Sequence, residues 1–441
     1  MRLKKTIAIL LTVVMLLSCA GLSAFSADAA NKKKDKVYFA PTKETYKGDN
    51  YAYTYSYVYD KNGNLIKETD VSHDSDGTTS KSVTTRTFDA KDNLTKEVYQ
   101  SKSSDGSFQK NVYVYTYDKK GRLLTETDKY KDSDGTSTYS LVQTYDKKGH
   151  ELSRESIHRH SDGSTSKYSY QNTYDSKGNK VKEVYNSTSS DGENYQEITV
   201  STYDTKKKLV KEVITSKTNE GTSKTVRTYT YDSKGNQTSV ITQRKYSDGS
   251  IEKITDLCTY NSKGKLEKEV YKRNENGSVY KYVDTYTYDS KGRELSYSSK
   301  STDEDGVQRK EARLSVYDKK GNCTKETYSS SDSEGYWYKN VTVNTYDAKG
   351  NKIKEVYNSN NSDGEKSSSV CTYDSKGNKT KEVFENNYDG ELYKSVTTYT
   401  YDKYGNCIKR VEKSMDNDGT VSRSVFTATY QKVPKEVDLY Y

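Results

Sequence analysis

The sequence is poor in the residues that build a conventional globular core. Only 31% of its 441 residues are hydrophobic, and it contains two prolines, one tryptophan and three methionines. After the first 30 residues there is no second long apolar run, and no apolar pattern with a helical period. One large aliphatic core and a helical architecture are therefore both excluded.

Residues that commonly carry chemistry are few as well. The four histidines form no cluster with Cys or Asp at metal-ligand spacing. Four Asp-x-Asp-Gly stretches, such as Asp74–Gly77, lack the third ligand and the bidentate Glu of a calcium loop, so they are interpreted as turns. Ser and Asp recur at repeat positions and supply no unique nucleophile with an orienting base. The sequence predicts a protein that is not an enzyme and has no metal or cofactor.

The cysteines after the leader are Cys258, Cys323, Cys371 and Cys407. No two of them fall in one predicted hairpin, and adjacent strands do not place any pair opposite each other. We interpret them as unpaired packing residues. A disulfide, which an exported chain favours, requires Cα atoms within about 7 Å and is the weaker alternative.

Tyrosine, in contrast, is abundant, with 45 copies, and it marks a repeat. The stretch 346–374, YDAKGNKIKEVYNSNNSDGEKSSSVCTYD, shows one unit followed by the start of the next. Its first aromatic residue recurs every 27 to 29 residues, which is the signature of a repeat architecture. These positions are Tyr59, Phe88, Tyr117, Tyr145, Tyr174, Tyr203, Tyr231, Tyr260, Tyr288, Tyr317, Tyr346, Tyr373, Tyr401 and Tyr430.

Each unit contains two turn signals separated by strand-like runs. Asp347 to Gly350 has the pattern of a turn closed by a glycine, and Asp363-Gly364 is a strong hairpin signal. The runs alternate with period two, as in residues 112–117. We expect the repeat tyrosine to lie opposite the residue six positions later. Lys207, which replaces the turn glycine in its unit, should adopt the left-handed conformation.

This pattern predicts an all-β fold of tandem antiparallel β-hairpin repeats. About 26 strands would form one elongated, coiled or spiral sheet, because strand twist forbids a flat one. A propeller with two units per blade is the alternative. The predicted organisation is a signal peptide at 1–30, a basic N-terminal spacer at 31–50, a repeat array of 13 units at 51–430 and a C-terminal tail at 431–441.

The leader combines a basic start, an apolar stretch and a small-x-small cleavage signal. It predicts a secreted or cell-surface bacterial protein. A lipobox at residues 16–19 would instead place a lipid on Cys19.

The YDxxGN and YDxxGR runs, such as those that begin at Tyr117 and Tyr288, resemble the YD repeats of RHS-type proteins and teneurins over residues 59–430. That resemblance implies hairpins wound into a spiral sheet, often a shell around a cargo. This unit is longer than the usual one, and no toxin-like C-terminal domain follows.

Two rows suggest a binding surface. Eight residues after the repeat tyrosine, Lys is found in nine of thirteen units, and the next residue is Glu in nine. Adjacent residues of a strand face opposite ways, so we expect the lysines and the glutamates on different faces. The hypothesis is a non-enzymatic scaffold whose lysines and tyrosines share one face and bind glycans or an anionic cell-wall polymer, with no nucleic acid and no transmembrane segment. The alternative is an RHS-type shell or truncated polymorphic-toxin component. The candidate residues are Lys67, Lys96, Lys182, Lys211, Lys268, Lys325, Lys354, Lys381, Lys409, Tyr117, Tyr174, Tyr203, Tyr288, Tyr346 and Tyr401.

Overall fold

The computed structural model describes residues 38–434, and the regular structure in this range consists of 28 β-strands. The first fourteen are β1 (Tyr38–Lys47), β2 (Ala52–Tyr59), β3 (Leu65–His73), β4 (Thr79–Phe88), β5 (Leu94–Ser103), β6 (Phe108–Tyr117), β7 (Leu123–Asp132), β8 (Gly135–Tyr145), β9 (Glu151–Arg159), β10 (Thr165–Tyr174), β11 (Lys180–Ser189), β12 (Asn194–Tyr203), β13 (Leu209–Thr218) and β14 (Gly221–Tyr231).

The second half continues the pattern. Its strands are β15 (Gln237–Lys245), β16 (Ile251–Tyr260), β17 (Leu266–Glu275), β18 (Ser278–Tyr288), β19 (Glu294–Thr302), β20 (Gln308–Tyr317), β21 (Cys323–Asp332), β22 (Trp337–Tyr346), β23 (Lys352–Asn361), β24 (Lys366–Tyr373), β25 (Lys379–Tyr388), β26 (Glu391–Tyr401), β27 (Cys407–Met415) and β28 (Val421–Val433). No helix within 38–434 has the length and apolar character needed to cross a bilayer.

The strands form one closed antiparallel barrel. Each pairs with the next along the chain, and β28 pairs with β1, from Tyr38 opposite Val433 to Lys47 opposite Val425. The prediction of hairpins in an all-β chain is right at this level. The predicted elongated, coiled or spiral sheet is wrong, because its two edges pair with each other. The propeller alternative fails for the same reason.

The closing strand lies within the segment that was predicted to be a spacer. In the β28–β1 pair, Tyr430 is opposite Pro41 and Thr429 is opposite Lys43, the same bulged register as in every repeat. Residues 41–46, PTKETY, match residues 323–328, CTKETY, at five of six positions. Strand β1 is therefore the second half of the unit that begins at Tyr430. The signal peptide at 1–30 and residues 435–441 lie outside the described residues.

Each repeat begins with a tight turn built by its Asp. At Asp347, one carboxylate oxygen accepts hydrogen bonds from the amides of Lys349 (2.8 Å) and Asn351 (2.9 Å). The other accepts one from the Asn351 side chain at 3.0 Å. Gly350 has a φ of 92°, which favours glycine. Lys207 has a φ of 66°, which confirms the prediction for the unit that lacks this glycine.

A β-bulge follows every such turn. Tyr117 is opposite Leu123, which confirms the predicted pairing with the sixth residue, but Thr116 is opposite Thr125. Leu124 is thus an extra residue on one strand, and the same shift occurs in all thirteen hairpins of this kind. A bulge of this type reverses which residues share a face beyond it.

The hairpins are staggered, and the stagger closes the ring. A path that starts at Thr45 and passes from each residue to its partner on the next strand comes back to β1 after one circuit of the barrel. It arrives roughly 26 residues further along the strand, and this shear is close to the number of strands, 28. Such a stagger corresponds to a strand tilt of about 35°. With strands spaced by about 4.8 Å, the barrel is about 50 Å across between backbones.

The direction of the stagger identifies the inner face. The backbone N–H of Asp118 donates to the carbonyl of Arg122 and therefore points toward β7. Because N–H directions alternate along a strand, the N–H groups of Thr116 and Val114 also point toward β7. Given the right-handed coiling of strands, this arrangement places Thr116 and Val114 outside and Tyr115 and Tyr117 inside. Their accessibility agrees, since Val114 is 39% exposed and the tyrosines are half-buried.

The strained turn at Lys207 gives a first prediction. Lys207→Gly should stabilise the protein by about 1 kcal/mol, because an L-residue pays roughly that amount in the left-handed region. Gly377→Lys is the reverse control: its φ is 88°, and a Cβ there meets no atom within 4 Å, so only backbone strain changes. Urea unfolding of both variants measures the effect. Shifts of the same sign in the two variants would contradict this account.

The turn carboxylates give a second prediction. The hydrogen bonds from Asn351 hold the pKa of Asp347 below its ordinary value of 3.8. A lowered folded pKa means that these bonds stabilise the turn above pH 3.8 and that this stability is lost as the pH falls through the folded pKa. We expect hydrogen-exchange protection of the Asn351 amide to fall in that range.

The chain supplies its own control for the second prediction. Asn261 occupies the Asp position in its unit and accepts the same bonds from the amides of Lys263 (2.9 Å) and Lys265 (3.0 Å). An amide cannot titrate, so protection at Lys265 should not change with pH. In the Asp347→Asn variant, hydrogen-exchange protection of the Asn351 amide should likewise not depend on pH. Parallel loss of protection in both turns would argue against the carboxylate as the cause.

Candidate functional site

The lysine row and the repeat tyrosines lie on opposite faces of the wall. Lys96 is opposite Thr87 and Val114, so these three side chains share one face. Phe88 and Tyr113 are the strand neighbours of Thr87 and Val114, so their side chains project from the other face. The bulge causes this separation. It pairs Lys96, the eighth residue after the repeat aromatic Phe88, with Thr87, the residue just before that aromatic. The prediction that the two rows share one face is therefore wrong. All nine candidate lysines project outward: Lys67, Lys96, Lys182, Lys211, Lys268, Lys325, Lys354, Lys381 and Lys409.

A second lysine row lies on the same outer face and was missed in the sequence. It occupies the position seven residues before the repeat aromatic: Lys81, Lys110, Lys167, Lys224, Lys253, Lys281, Lys310, Lys339, Lys366 and Lys394. Exposed apolar residues lie on the same outer face, level with the first lysine row, and include Val114, Leu257 and Leu314. A lysine against lipid tails costs about 2–4 kcal/mol at mid-bilayer, so these rows need water or anionic groups beside them.

The repeat tyrosines tie neighbouring hairpins together. The hydroxyl of Tyr346 donates to the carbonyl of Cys323, the residue beside the bulge of the preceding hairpin, at 2.9 Å. The bulge interrupts the ladder there, and this carbonyl accepts from the hydroxyl and also from the side-chain amide of Asn344 at 3.0 Å. The same bond is made by Tyr117, Tyr174, Tyr203, Tyr231, Tyr260, Tyr288, Tyr401 and Tyr430. All six candidate tyrosines are among these nine, so their hydroxyls are engaged in the wall.

The predicted glutamate row lines the inner face together with other tyrosines. Tyr282 donates to Glu269 at 2.5 Å, and Tyr229 donates to Glu212 at 2.5 Å. Arginines pair with part of the row, as Arg86 does with Glu97 at 2.6 Å. The sequence predicted that lysines and glutamates would be sorted onto different faces, and the pairing confirms it. The inner surface is therefore polar and rich in carboxylates.

The most enclosed charge on the inner face is Glu252. Its side chain is 4% exposed and forms ion pairs with Arg244 (2.9 Å) and Arg273 (2.6 Å). Arg273 also pairs with Glu275 and Glu304. Because each charge has a partner, we interpret this network as a structural tie across β15, β16 and β17.

The interior of the ring is not filled by side chains. In the described range only six hydrophobic residues are buried, and no large side chain is fully buried. Side chains from both walls leave a lumen of about 30 Å in a barrel of this width.

The remaining polar clusters have local explanations. Among residues 38–434, no group of three His, Cys, Asp or Glu side chains could hold a metal ion. Asp76, in one of the calcium-like stretches, accepts the amide of Thr78 at 2.8 Å, as a turn residue does. Cys258, Cys323 and Cys371 are free thiols.

Comparisons with known proteins add little. No protein-family model matches the chain, and no curated protein matches its sequence. A porin-like protein from Bacteroides uniformis has 15% identity and a TM-score of 0.20, over 52% of this chain and 92% of its own. Pseudomonas putida OprB has 10% identity and a TM-score of 0.25, over 76% of this chain and 90% of its own. The translocation pore of the P pilus usher PapC has 9% identity and a TM-score of 0.30, over 89% of this chain and 98% of its own. Likeness at this level carries no argument about function.

The predictions of family, function and membrane topology made from the sequence are wrong. The suspected membership of the YD-repeat family is wrong, since no family model matches and the hairpins close into a ring. The glycan or wall-polymer scaffold is wrong because its tyrosines are inside and its lysines outside. The RHS-type shell fails with its spiral sheet. The prediction of no transmembrane segment loses its basis too, because it considered apolar runs alone, and closed barrels are one of the architectures that cross membranes.

The tyrosine ties give a third prediction. Tyr288→Phe should destabilise the protein by about 1 kcal/mol, because it removes the hydroxyl that donates to the Leu266 carbonyl at 2.8 Å. Tyr336→Phe, at an exposed turn tyrosine, should have no measurable effect. Urea unfolding compares the two. Equal midpoints for both variants would show that the hydroxyl bonds do not hold the hairpins.

Proposed function

We propose that this protein is a wide aqueous conduit of the bacterial cell envelope, through which large hydrophilic solutes pass. The observation that carries the proposal is the closure of 28 strands around an interior that is polar and unfilled. Eight strands already enclose a side-chain-filled interior, and barrels of 16 or more leave an aqueous channel. A lumen of about 30 Å would admit small folded proteins as well as metabolites.

The construction of the wall supports this use. Many inner side chains are tied to one another or to the backbone, as Tyr346 and Glu252 are, so this part of the lining has a fixed geometry. No strand of the ring is left with an unpaired edge, which removes the usual route to aggregation. The predicted export agrees with a role at the cell surface, and we infer that the protein stays there rather than being released.

The absence of enzymatic activity stays a prediction, and a substrate panel with purified protein would test it. Attachment to the surface through Cys19 is the finer alternative for location. The intact mass of the exported protein would reveal a lipid on that residue.

A pair of neighbouring serines allows a direct test of the lumen. Ser298 projects outward, opposite Thr285 and Ala312, whereas Ser299 projects inward, opposite Asp284 and Glu311. Each is replaced by Cys in a background in which the four native cysteines after the leader are Ser. Polyethylene glycol maleimides of increasing size are then applied. We expect reagents narrower than about 30 Å to label both positions and wider ones to label Ser298→Cys alone. An inner cysteine that even small reagents do not reach would overturn the conduit.

Passage is measured separately, with neutral dextrans of graded size in vesicles that contain the protein. We expect efflux up to the size limit found by labelling. A variant that lacks residues 38–47 removes β1 and with it ring closure, so it is the matched control. Dextran retention by vesicles that contain the correctly folded, intact ring would contradict a conduit function.

A further inference from the structure

The wall of the barrel separates charge by sign, and this separation follows from the repeat. In nine of the thirteen units the eighth residue after the aromatic is an outward Lys, and in nine the ninth residue is an inward Glu. The second lysine row adds further positive charge outside. Outward carboxylates are scarce, with Glu155 and Glu385 among them. The outside is therefore strongly basic.

The inner face has the opposite balance. Cations such as Arg86, Arg244 and Arg273 neutralise some carboxylates. Others have no Lys or Arg within ion-pair distance in the described chain: Asp70, Glu126, Asp128, Asp256, Glu269, Asp284 and Glu326. Asp284 also keeps one buried carboxylate oxygen with no hydrogen-bond partner. The lumen thus has a net negative lining.

The width of the lumen decides what this charge can select. The Debye length is about 8 Å at physiological ionic strength, so small ions near the axis of a lumen of about 30 Å are largely screened. At 0.01 M salt it is about 30 Å, and the negative lining then acts across the whole lumen. A solute with many positive charges that approaches the wall is attracted even at physiological salt, because its contacts add.

We propose, on the basis of the conduit function above, that the lumen selects cationic hydrophilic macromolecules, with basic polypeptides as the favoured class. Neutral solutes of the same size pass without help. Anionic solutes are disfavoured by the lining. The basic outer face does not enter this selection, since it borders a different space.

The Ser298 and Ser299 pair tests the proposal without any requirement for a membrane. Cationic and anionic methanethiosulfonate reagents of similar size are compared at each introduced cysteine, and the ratio of the two rates cancels differences in thiol reactivity. At Ser299→Cys we expect the cationic reagent to be favoured about tenfold in 0.01 M salt and less than about twofold in 1 M salt. At Ser298→Cys, near Lys300 and Lys310, the preference should be reversed.

Charge variants show whether the lining is responsible. Replacing Glu269, Glu311 and Glu326 by Gln removes three inner charges on β17, β20 and β21, on either side of Ser299, and keeps hydrogen-bonding groups, so the inner preference should weaken. Replacing Lys96, Lys268 and Lys325 by Gln removes three outer charges and should leave it unchanged.

Passage of basic and neutral polymers completes the test. Cationic dextran should leave protein-containing vesicles faster than neutral dextran of equal size, and anionic dextran more slowly. Equal rates for all three would overturn the selectivity and leave the conduit intact. Retention of all three would count against the conduit itself. A cysteine preference at Ser299 that is insensitive to the three Gln substitutions would overturn the assignment to the lining.

Discussion

A single inserted residue beside each turn determines the rest of this structure. The alternation of a strand is a period of two, so an extra residue such as Leu124 changes which side chains share a face beyond it. Without the bulge, Lys and Tyr would project together and Glu would project with Thr. With it, the wall is basic outside and acidic and aromatic inside. The same insertion leaves a carbonyl without a ladder partner, and the next repeat tyrosine donates to it.

Ring closure depends on a second constraint, the accumulation of a small stagger. Each hairpin shifts the register by about two residues, an even number, so the faces stay in phase around the barrel. The last strand then meets the first in a register that β1 completes as the missing half of a unit, with Lys43 and Glu44 in the lysine and glutamate positions. Tyr59 donates to the Pro41 carbonyl at 3.0 Å, so the seam has the same tie as the repeats.

Local features could be predicted from the sequence, and cumulative ones could not. The hairpins, the pairing of Tyr117 with Leu123 and the left-handed Lys207 each depend on a few neighbouring residues. The face of the lysines required knowledge of the bulge, which no residue type announces. Closure required the sum of all staggers. Its one local signal, the match of residues 41–46 to 323–328, lies outside the recognisable array, in a segment whose lysines suggested a spacer.

A barrel without a packed core must obtain its stability from the wall itself. Hydrophobic burial is small here, since only six hydrophobic residues are buried in the range 38–434. What remains is the hydrogen-bonded ladder, the tyrosine ties and ion pairs such as Glu252 with Arg244, all of which join neighbouring hairpins. Stability is then a sum of similar local terms, as in other repeat proteins. An interior that contributes so little to stability can be given over to solvent, and its charge can be set by the inner residues with little consequence for the fold.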